Sequence, residues 1–88
     1  MADLQAEFAK AQADVNTLTK RPGNDDLLAL YAAFKQATDG DVSGSRPGML
    51  DVKGRAKYDA WAKLKGTKTE AAIKLYTAKV GTLLKTHK

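Results

Sequence analysis

Apolar residues recur along this chain at intervals of three and four and in no stretch at intervals of two, a pattern that commits it to amphipathic helices rather than half-buried strands. Leu4, Phe8, Ala11, Val15 and Leu18 make a first stripe, with Asp3 placed to cap it. Leu27, Leu30, Tyr31 and Phe34 make a second, preceded by the breaker cluster Arg21-Pro22-Gly23-Asn24 and ending near Asp39-Gly40. Asn24 or Asp25 is the expected cap, with Asp25 and Asp26 in the first turn. Tyr58, Trp61 and Leu64 define a shorter third helix over Gly54–Lys65, with Gly66 at its C′ position. Ile73, Tyr76, Val80, Leu83 and Leu84 define a fourth, which the capping box Thr67-Lys68-Thr69-Glu70 should open. Gly81 falls inside that helix. The predicted fold is all-α, a four-helix bundle in one domain spanning residues 1–88.

Chemistry is narrowed by what the 88 residues lack. With no cysteine there is no disulfide, thiolate nucleophile or cysteine-based zinc site, and a lone histidine, His87, makes no metal centre by itself. Asp39-Gly40-Asp41-Val42-Ser43-Gly44 offers oxygens where a calcium loop has them. The twelfth position, however, is Leu50 instead of a bidentate acid, so both aspartates are read as turn formers. Ser43 and Ser45 have no nucleophile elbow, and Asp25 and Asp26 suit capping better than acid–base work. No catalytic residue, metal or cofactor is expected. No apolar run is long enough to span a membrane, and nothing resembling a secretory signal follows Met1, so the expected location is cytoplasmic.

The net charge of +5 conceals a split: residues 1–44 carry four Lys/Arg against seven Asp/Glu, and residues 45–88 carry eleven against three. Such a basic half suits a phosphate-bearing partner. The stretch from Tyr31 to Trp61 supplies side chains to meet one. Tyr31, Phe34 and Lys35 share a helical face, Arg46 in Arg46-Pro47-Gly48 offers a donor fork, and Lys53, Lys57 and Trp61 follow at i+4 spacing. A ring can stack on a base, and lysine or tyrosine can bind phosphate oxygens. Alternatively the rings fill the core and the lysines are only solvated. Spacing leaves both open.

Tyr31-Ala32-Ala33-Phe34-Lys35-Gln36-Ala37-Thr38, followed by Gly40-Asp41, Arg46-Pro47-Gly48, Asp51, Gly54, Ala56-Lys57 and Ala60-Trp61, strongly resembles the acyl-CoA-binding protein family. Phe8, Leu64-Lys65-Gly66 and Tyr76 extend the match over nearly the whole chain. The resemblance implies up-down-down-up topology and a non-enzymatic, monomeric carrier and pool former for medium- to long-chain acyl-CoA esters, one that could exchange ligand with acyl-CoA-using enzymes. It places Tyr31, Lys35 and Lys57 on the 3′-phosphate of CoA and Phe34 on the adenine, with Lys53 and Tyr76 at further ligand positions. Leu27, Leu28 and Leu30 are acyl-groove candidates, some of which must instead pack the bundle.

Three positions depart from the family pattern: Phe34 stands for a second tyrosine, Tyr58 for a common tryptophan, and Asn16 for a ligand-contacting lysine. Binding of altered strength is the expectation. Two other readings compete with it. A basic nucleic-acid-binding module would use the +8 half, but there is no helix-turn-helix signature and no nucleic acid is expected. A peripheral membrane protein would use Lys74, Lys79, Lys85 and Lys88, but the last helix lacks a strong aromatic membrane face, and no stable membrane insertion is expected.

Overall fold

The computed structural model describes residues 3–88, in which the four helices are α1 (Leu4–Val15), α2 (Asn24–Thr38), α3 (Val52–Ala62) and α4 (Thr69–Thr86). No strand occurs among the described residues. Asp3 caps α1 as expected, its carboxylate accepting the Gln5 N–H at 3.0 Å. The other three starts differ from the sequence expectation, each for a local reason.

At α2 the cap is Gly23, with no side-chain bond, and Asn24 is already helical. α3 begins before Gly54 because Asp51 folds its carboxylate back onto the Gly54 N–H at 3.0 Å. A Cβ at Gly54 would sit 2.3 Å from that carboxylate, so the cap and the missing side chain go together. After Ala62 the chain runs through a turn, and Gly66, with φ +89°, reverses it past the helix end rather than at a C′ position. α4 begins at Thr69, and the expected capping box does not form. Thr67 is instead drawn into the preceding turn: its N–H donates to Leu64 O at 2.9 Å, while its carbonyl accepts from the buried Gln36 amide at 2.8 Å.

Cross-helix contacts fix the directions of the helices. Phe8 meets Tyr76 and Thr19 N–H donates to His87 O, so α1 and α4 run the same way. Asp26 pairs with Lys79 near the start of α2, and Gln36 reaches Thr67 near its end, so α2 opposes α4. Lys57 lies over Tyr31 and Lys35 over Trp61, so α3 advances alongside α2. This is up-down-down-up topology, in which the parallel α2 and α3 need the long connection between them.

Phe8, Ala11, Leu30, Ala33, Ile73, Tyr76, Val80 and Leu83 form the core, which is supplied by α1, α2 and α4. α3 stands apart, with Trp61 its one buried residue among those described. Polar bonds hold α3 and the α2–α3 loop together instead. Trp61 Nε1–H donates to Gly40 O at 2.8 Å, the Tyr58 hydroxyl donates to Gly44 O at 3.1 Å, and Arg46 grips Asp59 with both arms at 2.8 and 2.6 Å. Asp41 completes the junction, one carboxylate oxygen accepting from both Gln36 Nε2 and Gly66 N–H at 2.8 Å. Those donors, the Gly66 N–H foremost, hold the Asp41 carboxyl below its ordinary pKa.

Candidate ligand-binding groove between α2 and α3

Because α2 and α3 run side by side, residues one turn apart on each can face a common space. Tyr31 and Lys35 are so spaced on α2, and Lys53 and Lys57 on α3, although Lys35, one turn beyond Tyr31, falls outside the groove lining. A groove of about 680 Å³ lies where the two helices begin, lined by Arg21, Asn24, Leu27, Leu28, Tyr31, Val52, Lys53, Ala56 and Lys57. Its walls combine two kinds of chemistry. Leu27, Leu28, Val52 and Ala56 are apolar, while Arg21, Lys53 and Lys57 bring three cations to the same space.

Two of the lysines are set against aromatic faces. Lys57 Nζ lies 5.5 Å from the Tyr31 ring centroid, and Lys35 Nζ lies 5.0 Å from that of Trp61. Lys35 also pairs with Asp39 one turn on, and this hydrogen bond raises its pKa against the opposing effect of burial. Lys53 and Lys57 have no acidic partner in ion-pair range among the described residues, so their charges are free to meet an anion.

The remaining candidates fall in different places. Phe34 is half-buried and Tyr76 is 6% exposed; both pack against Phe8, Phe34 tilted with its centroid 5.9 Å away and Tyr76 edge-on at 5.2 Å. Burial pushes the Tyr76 phenol pKa up. Leu30 also turns into the core at 6% exposure, which takes it out of the groove and leaves Leu27 and Leu28 on the wall. Arg46 does not offer its fork to an anion, because Asp59 occupies it. The lysine-rich face proposed for α4 is altered as well, since Lys79 is held by Asp26 and, apart from the exposed Leu75, the large apolar residues of that helix turn to the core.

Four wall residues, Arg21, Asn24, Val52 and Ala56, were not singled out as ligand contacts from sequence. Arg21 and Asn24 read there only as turn and cap, and nothing in their spacing announces that the α1–α2 turn closes one end of the groove. In the sequence Gln36 likewise stands out only as part of a motif. Its burial at 1% exposure and its two bonds show what it does, which is to tie α2 to both neighbouring connections. Among the described residues no group of three or more His, Asp or Glu side chains is placed to hold a metal ion.

Residues 5–80 match the model of the family described as acyl CoA binding protein. An acyl-CoA-binding protein homolog of Manduca sexta is 50% identical over 82 residues, covering 92% of this chain and 91% of the relative. The acyl-CoA-binding domain-containing protein 6 of Arabidopsis thaliana is 49% identical over 81 residues, covering 92% and 88%. Among solved structures, Oryza sativa acyl-CoA-binding protein 2 superposes with a TM-score of 0.88 at 41% identity, covering 94% of this chain and 92% of that one. The acyl-CoA-binding protein of Moniliophthora perniciosa gives 0.87 at 43% identity, covering 97% and 82%. The four-helix fold, the matched residues and the extent of identity together show that this chain belongs to the acyl-CoA-binding protein family.

Proposed function

We propose that this protein binds medium- to long-chain acyl-CoA esters without covalent chemistry and serves as their carrier and pool former. Family membership supports acyl-CoA as the ligand class. The observation that carries the reading is the meeting of cations, a phenol and apolar walls in one groove between α2 and α3. An acyl-CoA has the matching halves, a polyanionic nucleotide and a hydrocarbon chain.

In this reading the Tyr31 hydroxyl, Lys35 and Lys57 hold the 3′-phosphate, and Lys53 meets the remaining phosphates. The exposed part of Phe34 contacts adenine, and Tyr76 supports that ring from behind through the Phe8 cluster. Leu27 and Leu28 shelter the start of the acyl chain. No group in the site needs to make or break a bond. The reading further takes residues 1–88 as one binding domain, monomeric and cytoplasmic, that exchanges ligand with acyl-CoA-using enzymes.

Calorimetry with palmitoyl-CoA and palmitate, each below its micellar concentration, tests this. The thioester should bind far more tightly, since the free acid has the tail but not the phosphates and base. Equal affinities would refute a CoA-directed groove.

A further inference from the structure

On the other side of the α2–α3 seam lies a second groove that this reading leaves unused. α3 and α4 both pack on α2 but not on each other among the described residues, so the face of α2 between them floors an open trench of about 660 Å³. Ala29, Ala32 and Ala33 form the floor, with Ala60 of α3 and Leu75 of α4 on the sides. Small side chains leave the space, and Leu75 remains 47% exposed beside it.

Leu28 and Ala56 line both grooves, so the two adjoin across one apolar saddle. Four charged side chains stand at the rim of the trench: Asp59 is clamped by Arg46 and Lys79 is paired with Asp26, while Asp25 and Lys63, one of each sign, have no ion-pair partner among the described residues. With no excess of either sign at the rim and alanine and leucine beneath it, the trench favours hydrocarbon over an ionic ligand. The first groove, by contrast, has its free cations and only four apolar wall residues. An apolar path with charge at one end fits an amphiphile longer than the first groove can cover.

We propose that the trench between α3 and α4 receives the distal end of acyl chains that outrun the first groove, with Leu28 and Ala56 as the crossing point. The proposal rests on the acyl-CoA reading of the first groove.

Affinity is measured by calorimetry for octanoyl-, dodecanoyl-, palmitoyl- and eicosanoyl-CoA, with the unaltered chain and with Ala60→Trp, which fills the trench. Each methylene that finds cover should tighten binding about fourfold. The unaltered chain should keep gaining beyond palmitoyl, while the variant should match it for octanoyl-CoA and level off earlier. Amide shifts of the unaltered chain give an answer even if the variant fails to fold. Dodecanoyl-CoA should move Leu28 and Lys53 and leave Ala60 and Leu75 in place; eicosanoyl-CoA should move all four.

Identical length profiles, or Ala60 and Leu75 unmoved by eicosanoyl-CoA, would overturn the proposal while octanoyl binding stood. Loss of binding for every ester by the unaltered chain would instead refute the first groove. A ligand-free dimer in sedimentation, dissolved by Ala60→Trp, would assign the trench to a second copy of this chain and also overturn it.

Discussion

Lys57 reaches across from α3 to lie over the Tyr31 ring, 5.5 Å from its centroid, so an ammonium and a phenol from different helices stand together where the proposed reading puts the 3′-phosphate. A hydrogen bond to a charged group contributes about 1.5–3 kcal/mol, so Lys57→Ala should weaken palmitoyl-CoA binding by roughly tenfold or more. Removing the 3′-phosphate from the ligand should do the same. If the two touch, the losses are not additive, and the coupling energy in a double-mutant cycle should exceed about 1 kcal/mol. Additive losses would place Lys57 elsewhere, and Lys85→Ala, the same charge change at an exposed position of α4, serves as the field control. Single residues were legible in the sequence where helix spacing alone decides them, as with Tyr31 and Lys35. They were not legible where a partner is tertiary. Arg46 looked free for an anion because Asp59, thirteen residues on, gives no local sign of taking it. Leu27, Leu28 and Leu30 fall at different angles round α2, and only the packing of α4 decides that Leu30 is the one turned inward.

The same division holds for the helices. Their number and order, and the apolar faces of α1, α2 and α4, could be read from the spacing, because burial of one stripe per helix is what the period encodes; the stripe expected of α3 reduces to Trp61, with Leu64 beyond the helix end. The starts of α3 and α4 could not, since each is decided by a contact that competes with the expected cap: Asp51 on Gly54 N–H in one case, and Gln36 on Thr67 O in the other. α4 carries a further anomaly in Gly81. It lies within the helix, and a Cβ built there meets nothing within 4 Å. No turn, close approach or positive φ requires glycine at this position. Gly81→Ala should therefore stabilise the protein by up to about 1 kcal/mol through helix propensity and reduced freedom of the unfolded chain. Denaturant unfolding with an unchanged m-value would report it; a loss of stability would mean that the α1–α4 face needs the gap.

At the scale of the molecule, the extents of 39 × 31 × 15 Å describe a slab whose two larger grooves lie open on its surface. The slab is unevenly secured. α1, α2 and α4 share the core, whereas α3 adds one buried residue and relies on hydrogen bonds to the loop and the Arg46–Asp59 pair. A ligand lodged between α2 and α3 supplies the contacts this edge lacks, and because it binds only the native state its affinity adds to folding stability. At a free concentration of 100 times its dissociation constant the gain is about 2.7 kcal/mol. For a domain of this size that raises the melting midpoint by roughly ten degrees or more. CoA without an acyl chain should raise it less, since the hydrocarbon contacts are missing. The gain should also be unevenly distributed, because local opening of α3 is what the ligand most directly opposes. Hydrogen exchange should therefore slow most in the amides of α3 and of the loop tied to it. A rise in melting midpoint with protection spread evenly over α1 and α4 would mean that the ligand is held by the core helices and not by the α2–α3 groove, and no rise at saturating palmitoyl-CoA would refute binding to the folded protein altogether.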